Sequence, residues 1–406
     1  MITNRRQFIS STLGTTALIG MTPTMPQFMA RASEIAKAKN DNILVVIQLS
    51  GGNDGLNTVV PFGDEEYYKN RFTLAIGDNE ALKIDDSHGF HPSLEGFSKL
   101  LEAGQLSIVN GVGYPKPNRS HFESMDLWHT AHRTRAAMQT GWIGDYLENA
   151  KLTNQFPCVH FGDEKQPLAL AAENLQVPSV RSLEGFHFDL AGNSELKSAV
   201  KSIVGTERKH QDDLVSFIQG STQTTLKTSQ QIEDVLQRPA LDTSFPQSGL
   251  GQKLKMVAQL IGSGVYSKVY YVTLDGFDTH SKQQEVHGTL LRELGDALAA
   301  FMQEMKVQGN DDRVLALTFS EFGRRVKENA SLGTDHGAAA PVFVAGGRVN
   351  AGMIGDYPSL TDLDDGDLRF HTDYRQIYAT VLENWLQTDS KSILGKSYGK
   401  LPLIEA

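Results

Sequence analysis

Most of the side chains that could do chemistry lie in four short clusters, each directly after an apolar run. The clusters are Gly51-Gly52-Asn53-Asp54-Gly55, Asn118-Arg119-Ser120-His121, Asp278-Thr279-His280 and Ser320-Glu321-Phe322-Gly323-Arg324, and Asp335-His336-Gly337 follows the last of them. The apolar runs are nearly continuous, which is typical of strands buried on both faces of a parallel sheet. Because ligands bind such sheets beyond the carboxyl ends of the strands, the sequence predicts that the clusters converge on one cleft.

Six side chains in or near these clusters are of the types that bind divalent metals. They are three carboxylates and three imidazoles: Asp54, Asp278, His280, Asp335, His336 and His371. Mixed sets of Asp and His suit zinc, manganese or iron, whereas calcium and magnesium prefer oxygen ligands alone. Two ions about 4 Å apart need roughly this many ligands. The residue types therefore predict a site for two divalent metal ions.

Several of these residues also have a purely structural interpretation. Asp54 lies in a Gly-Asn-Asp-Gly segment, which is a good turn sequence whatever its chemistry. Asp278 could be the N-cap of a helix, and His371 alone could be an ordinary surface or core histidine. Asp335-His336 is the strongest pair, because His beside Asp in a Gly-rich turn has little use in packing.

Ser120 has two compatible interpretations. The segment Ser120-His121-Phe122-Glu123 fits a capping box, with Ser as N-cap and Glu three residues later. A helix N-terminus also stabilises an anion and lowers the pKa of a nucleophile. Ser120 is therefore a candidate nucleophile as well as a candidate cap.

The elements that must position these clusters alternate between strand and helix. The apolar runs are residues 43–49, 106–110, 269–274, 314–319 and 342–345, and amphipathic stretches occupy 94–103, 250–262 and 285–305. This order predicts an α/β fold with a doubly wound, mostly parallel sheet flanked by helices. Residues 186–248 are polar with helical signals only, and they predict a helical insertion.

The first residues predict an export signal. Arg5-Arg6 is followed by Phe8, then by a mildly apolar stretch and by Ala30-Arg31-Ala32, a small-x-small cleavage pattern. This pattern indicates a twin-arginine signal peptide over residues 1–32, with the Tat translocase as export partner and a periplasmic or secreted mature domain over 33–406. No later stretch approaches the ~18 apolar residues of a membrane span.

Charge and cysteine content exclude several function classes. The formal net charge is -10 for the whole chain, and loss of the three leader arginines makes the mature part more acidic. An acidic chain without a Lys/Arg-rich block has no electrostatic footprint for nucleic acid. Cys158 is the one cysteine, so no intramolecular disulfide can form, and its apolar neighbours predict a buried strand.

The motifs together resemble a bacterial domain-of-unknown-function family, the one numbered fifteen hundred and one. The matching stretches are the Arg-Arg leader, residues 49–57, Arg119-Ser120-His121-Phe122, residues 276–280, residues 320–324 and residues 333–337. That family resembles, more distantly, the alkaline phosphatase and sulfatase superfamily. The resemblance implies an alkaline-phosphatase-like domain over residues 33–406, with a bimetal site and a Ser or Thr nucleophile.

The resemblance also implies a role for each candidate residue. Asp54, Asp335, His336 and Ser120 would hold one ion, and Asp278, His280 and His371 the other. Ser120 would attack a small anionic ester, with Arg119 or Arg324 holding its free oxygens, although both could equally be surface arginines. The expected activity is metal-dependent hydrolysis of phosphate or sulfate esters. The alternatives are a non-catalytic periplasmic binding or envelope-assembly protein, and a metal-dependent hydrolase of carboxylic esters or glycans.

Overall fold

A computed structural model describes residues 41–132, 139–152, 157–181, 241–264 and 267–405. The chain from Asn42 onward forms one compact unit. The predicted signal peptide over residues 1–32 lies outside the described residues, as does the predicted helical insertion up to residue 240. Residues 241–248 form turns that lead into the next helix.

A nine-stranded sheet is the centre of the fold, with order β13-β5-β12-β9-β1-β8-β6-β7 and with β16 also paired to β5. The strands are β1 (Ile43–Ser50), β2 (Val59–Val60), β3 (Leu82–Lys83), β4 (Gly89–Phe90), β5 (Leu106–Gly113), β6 (Cys158–Phe161), β7 (Ser179–Val180), β8 (Val269–Asp275), β9 (Val314–Ser320), β10 (Arg324–Glu328), β11 (Thr334–His336), β12 (Ala340–Gly346), β13 (Gly352–Ile354), β14 (Leu363–Asp364), β15 (Asp367–Leu368) and β16 (Thr372–Asp373). All five predicted runs are strands of this sheet, and Cys158 is buried in β6.

The sheet is parallel except for one strand. The pairs of β1 with β8 and β9 are parallel, as are those of β6 with β7 and β8, and those of β5 with β13 and β16. β12 runs antiparallel to both of its neighbours. The prediction that residues 342–345 belong to the parallel set is therefore wrong. A buried apolar run has the same composition in either direction, so the pattern could not reveal the reversal.

Helices cover both faces of the sheet, as predicted. They are α1 (Glu65–Asn70), α2 (Glu95–Glu102), α3 (His121–Thr130), α4 (Trp142–Asn149), α5 (Gly249–Ser263), α6 (Gln283–Val307), α7 (Tyr374–Thr380) and α8 (Ser390–Leu394), and α7 continues as a π-helix over Val381–Trp385. Alternate residues of β1 enter two different cores. Val45 and Ile47 pack with α2, α5 and α6, and Leu44 and Val46 pack with α3, α4 and α7.

The direction of the strands determines where the site lies. Because β1, β5, β8 and β9 are all parallel, their carboxyl ends meet at one edge of the sheet. The clusters that follow these strands therefore share that edge. No helix in the described part of the chain is long and apolar enough to cross a membrane.

Candidate metal centre

The loop that follows β1 contacts the loop that follows β8 beside the candidate site. Ser50 is in register with Asp275, and Gly51, with φ +119°, then turns the chain under the next cluster. A Cβ on Gly51 would lie 2.3 Å from the backbone nitrogen of Asp278. Only glycine permits both this backbone conformation and this approach. The glycine therefore fixes the place of Asp278.

Three imidazoles converge on one carboxylate oxygen, Asp278 Oδ1. The Nε2 atoms of His280 and His336 each lie 3.1 Å from it, and Nε2 of His121 lies 3.5 Å from it. The Nε2 atoms of His280 and His336 are 2.8 Å apart. Ligand atoms at 2.0–2.1 Å from a tetrahedral zinc ion stand about 3.3 Å from one another. His121, Asp278 and His336 each offer one ligand atom within 4.8 Å of the other two, which suits a single ion, and His280 contacts two of these three residues.

Each of the three imidazoles is oriented by an acceptor on its other nitrogen. Nδ1 of His121 faces Glu321 Oε1 at 2.9 Å, Nδ1 of His336 faces the carbonyl oxygen of Arg119 at 2.8 Å, and Nδ1 of His280 faces Asp335 Oδ1 at 3.3 Å. Metal-binding histidines almost always make such a second contact, which fixes the tautomer and the ring orientation. Asp335, predicted as a ligand, lies here behind His280.

These contacts leave lone pairs facing one another. A carbonyl oxygen only accepts, so the proton of neutral His336 is on Nδ1 and its Nε2 carries a lone pair. His121 Nε2 is inaccessible to solvent and makes no hydrogen bond to any described residue. Lone pairs within about 3 Å repel unless a proton or a cation lies between them. The imidazoles of His121 and His336 and the carboxylate of Asp278, with the imidazole of His280 beside them, therefore fit a zinc-type ion.

Asp278 is held in its ionised form. Burial raises the pKa of its carboxyl, but the hydrogen bond and the positive charge of Arg324 outweigh burial, and the pKa falls to about 2. Its side chain keeps 48% of its exposure, and those of His280 and Asp335 keep 44% and 55%. The cluster is therefore open to solvent, as a site for an external substrate must be.

Ser120 adjoins this centre, and its hydroxyl makes no hydrogen bond to any residue that the structure describes. It is the N-cap residue of α3, yet its side chain makes no capping hydrogen bond, and Glu123 accepts from Asn118 instead. The predicted capping box therefore does not form. The carbonyl oxygen of Arg119 contacts His336, and the ring of His121 contacts Asp278. Ser120 is thus fixed between two residues of the centre, at a helix N-terminus.

Asp54 lies outside the cluster, contrary to the prediction. Its two oxygens accept from the Arg71 guanidinium at 2.6 and 3.1 Å, and Gln283 donates to the same carboxylate. Both side chains of the pair are fully buried. Gln283 also accepts from Thr334, two residues before His336, so Asp54 lies behind the centre rather than across the molecule. The cation that binds Asp54 is the guanidinium of Arg71, the residue directly after α1. The sequence analysis did not place Arg71 beside Asp54.

His371 also lies apart from the cluster. Its backbone nitrogen donates to Gly111 of β5, and its Nδ1 lies 3.1 Å from Thr372 Oγ1. Its ring lies against the backbone of Gly111. Among the described residues, no hydrogen bond or ion pair joins it to the three converging imidazoles. The structure thus brings together four of the six predicted ligands, Asp278, His280, Asp335 and His336.

The two predicted anion-binding arginines are both occupied. Arg119 turns away from the centre and donates to Asp367 at 2.7 and 2.9 Å. Arg324 is buried, and its guanidinium donates to the backbone carbonyls of residues 51, 52, 277 and 334 and to Asp278 at 2.8 Å. Arg324 therefore positions the loops and Asp278, and neither arginine presents a free fork to an ester.

Sequence reasoning missed His121 and Glu321 as members of the site. Both lie in clusters that the sequence singled out, and Glu321 directly follows β9. Glu321 Oε1 accepts from His121 and from the backbone nitrogen of Gly51 at 2.8 Å. Their position in the sequence could have identified them, because each lies after the carboxyl end of a strand, as Asp278 does.

Comparison with known proteins identifies a family to which this chain belongs and several solved structures that resemble it distantly. Solved structures that resemble this chain include the lipoteichoic acid synthase LtaP from Listeria monocytogenes (10% identity, 91% of this chain and 76% of that chain, TM-score 0.38). The PsFucS1 sulfatase from Pseudoalteromonas sp. (11%, 93% and 77%, 0.38) and a mutant of TAB5 alkaline phosphatase with Mg bound (11%, 76% and 92%, 0.35) are further examples. Similarity at this level says nothing about the activity of this chain.

No curated protein matches the chain by sequence. A match to a known family, however, spans residues 41–400, which is nearly all of the chain and includes every residue of the candidate metal centre. The chain belongs to the family described as "Protein of unknown function (DUF1501)".

Proposed function

We propose that the protein is a metal-dependent hydrolase of phosphate or sulfate esters. His121, His280, His336 and Asp278 would hold one divalent cation, and Ser120 would be the nucleophile. The observation that carries the proposal is the convergence of three oriented Nε2 atoms on Asp278 Oδ1. A purely structural cluster has no need of three Nδ1 acceptors and unshielded lone pairs. Zinc, manganese and iron suit this donor set.

The residues of this chain would divide the work as follows. Ser120 Oγ attacks the phosphorus or sulfur atom, the bond to the ester oxygen breaks, and the serine proton passes to the leaving alcohol. Water then attacks the same atom, one of its protons returns to Ser120 Oγ, and phosphate or sulfate is released. The first backbone amides of α3 stabilise negative charge beside Ser120. Glu321 and Asp335 keep His121 and His280 aimed at the centre. When bound, a divalent cation supplies charge stabilisation and lowers the pKa of the attacking hydroxyl.

The first experiment is elemental analysis of the mature chain, residues 33–406, after loading with zinc, manganese or iron and gel filtration. We expect about one ion per chain, from the single set of ligand atoms. Asp278→Ala and His336→Ala are expected to lose it. His88→Ala is the matched control, because His88 contacts Asp85 and Tyr357 and not the centre. A wild-type chain without bound metal would rule out the proposal.

The second experiment measures turnover. The metal-loaded chain is assayed on aryl phosphate, sulfate and phosphonate esters, beside Ser120→Ala and the His88→Ala control. We expect turnover that requires both the metal and Ser120. Turnover that survives Ser120→Ala would remove the nucleophile from the mechanism. Metal binding without turnover on any ester class would favour the second candidate below.

Export by the twin-arginine route to the periplasm or beyond is part of the proposal. Its support is the sequence of residues 5–32, with the arginine pair ahead of Phe8 and the cleavage pattern at Ala30 to Ala32. Replacement of both leader arginines by lysine is the test. We expect the precursor to accumulate in the cytoplasm, and unchanged secretion would show that another route is used.

The second candidate is a metal-binding protein of the periplasm without turnover. It is favoured by the two occupied arginines, since neither Arg119 nor Arg324 can hold an anionic ester without giving up its protein partners. Such a protein would bind the cation equally well. It would show no dependence of any measured property on Ser120, and this separates it from the hydrolase.

A further inference from the structure

A second set of nucleophilic and titratable side chains lies on β6 and β7, the last two strands in the order of the sheet, and in the loop after β6. Ser179 Oγ is 2.9 Å from Nδ1 of His160, and Nε2 of the same ring is 3.5 Å from Glu164 Oε1. The order is hydroxyl, imidazole, carboxylate, and a different ring nitrogen serves each neighbour. This is the arrangement by which nucleophile, base and orienting acid are recognised in any fold.

The strands hold this set in place. His160 of β6 is in register with Ser179 of β7, so their side chains lie on one face of the sheet. The ring of His160 is fully buried, and its Nε2 makes no hydrogen bond to any described residue. Ser179 is exposed. The base is thus shielded from water while the hydroxyl remains accessible.

Two further residues complete the surroundings. Lys253 Nζ lies 3.4 Å from Glu164 Oε1 and donates to the carbonyl oxygen of Thr273 at 2.9 Å, which fixes the carboxylate. Gln166 Nε2 donates to Ser179 Oγ at 3.2 Å. The same amide nitrogen donates to the carbonyl oxygen of Val177 at 2.8 Å, which holds Gln166 beside the hydroxyl. The hydroxyl therefore accepts from Gln166 and donates to His160.

We propose that Ser179, His160 and Glu164 form a second catalytic site, which acts on neutral carboxylic esters. Ser179 Oγ attacks the ester carbonyl carbon, and its proton passes to Nδ1 of His160. The bond to the alkoxy oxygen breaks, and the leaving alcohol takes that proton. Water then repeats the exchange and releases the acid. Glu164 is a positioning residue: its negative charge, 3.5 Å from Nε2, favours the tautomer that carries the other ring proton on Nε2.

The local charges define the substrate class. Glu164 is paired with Lys253, and Asp163 with Arg181 at 3.3 Å. Lys165 adds one exposed positive charge in the same loop. Because the one arginine of these pairs, Arg181, is engaged by Asp163, the described residues offer no free guanidinium fork of the kind that holds a phosphate or sulfate ester. The site is therefore complementary to neutral esters, which distinguishes it from the proposed metal centre. It also needs no metal, so it stands whether or not the proposed function is correct.

The test is labelling of the folded mature chain with a neutral dialkyl fluorophosphate, followed by peptide mass spectrometry. The Ser179 Oγ to phosphorus bond forms, fluoride leaves, and the serine proton goes to His160. We expect a label on Ser179 in the folded chain and none after denaturation. His160→Gln should slow labelling by about 100-fold, the usual contribution of a general base. Chelation of metals should have no effect.

Ser87 is the internal control. Its Oγ lies 3.1 Å from Nδ1 of His88, but Asp85 faces the same nitrogen at 3.1 Å. The ring proton held by Asp85 therefore prevents that nitrogen from acting as a base, and Ser87 should stay unlabelled. Glu164→Gln should shift the pH profile of labelling, and Glu164→Asp should restore it in part. No label on Ser179, or a label as slow as that of Ser87, would overturn the proposal.

Discussion

Asp54→Asn separates a metal ligand from the partner of a buried ion pair. The sequence favours a ligand, whereas the structure shows the carboxylate bound to Arg71 through both oxygens. Asn cannot neutralise the guanidinium, so the variant leaves a buried cation without its counter-ion. We expect the variant to lose stability and to retain the metal.

The expected loss follows from the burial of the pair. Both side chains are fully inaccessible, and removal of one partner of such a pair costs about 3–5 kcal/mol. The structure describes 294 residues, for which an unfolding entropy of about 2.1 cal/mol/K per residue gives about 0.62 kcal/mol/K. The melting temperature should therefore fall by about 5–8 °C.

The pair also makes stability depend on pH. Burial raises the pKa of Asp54, but the charge and hydrogen bonds of Arg71 outweigh it, so the folded-state pKa lies below the ordinary value of 3.8. The ion-pair stabilisation is therefore present above about pH 4 and is lost as the pH falls through the lower folded-state pKa. Asp54→Asn should remove this part of the acid dependence.

The assay combines thermal unfolding from pH 3 to 7 with elemental analysis of the same samples. Arg71→Met in the Asp54→Asn background is the control, because removal of the stranded cation should recover much of the loss. Loss of the metal with unchanged stability would refute the reasoning and would return Asp54 to the ligand set.

Three further predictions concern single side chains. Ser120→Ala should keep one bound ion per chain and lower turnover by about 10³-fold or more, measured as kcat, and loss of the ion would make Ser120 a ligand rather than a nucleophile. Gly51→Ala forces a side chain into a backbone with φ +119° and into the nitrogen of Asp278, so it should cost about 1–3 kcal/mol and weaken metal binding in a titration. Arg119→Ala removes both hydrogen bonds to the buried carboxylate of Asp367 and leaves it the longer contact with Arg325 at 3.5 Å, so it should cost about 1–3 kcal/mol in urea unfolding with little change in turnover, whereas a large loss of turnover would assign Arg119 to substrate binding.

The strands could be predicted because a strand that is buried on both faces of the sheet appears in the sequence as a nearly continuous run of apolar residues. Each of the five apolar runs became a strand of the central sheet, and the stretches at 94–103, 250–262 and 285–305 became α2, α5 and α6. Helical and strand periodicity are local properties, which a single sequence contains. The reversal of β12 depends on which neighbours it pairs with, and that is a property of the assembled sheet.

The candidate site was predicted where function follows from position after a strand. Asp278, His280 and His336 were selected in this way, and they meet. Asp54 was selected by the same rule, but it pairs with Arg71. Arg71 directly follows α1 and belongs to none of the clusters that follow strands, so the rule could not reveal the pair. His121 was hidden because its segment satisfies a capping box, and only coordinates show that the Ser120 side chain makes no cap bond.

If the proposed metal centre is correct, the formal charges around it favour one cation over two. Asp278, Glu321 and Asp335 each contribute one negative charge, the three imidazoles are neutral as ligands, and Arg324 contributes one positive charge beside Asp278. The net charge of about -2 is balanced by a single divalent ion. A second ion would leave an excess of positive charge, and Asp54, the carboxylate that the resemblance assigns to the first ion, is already neutralised by Arg71. The positive charge of Arg71 thus does for Asp54 what a second metal ion would do. We therefore expect one ion in the proposed centre, whereas the sequence predicted two.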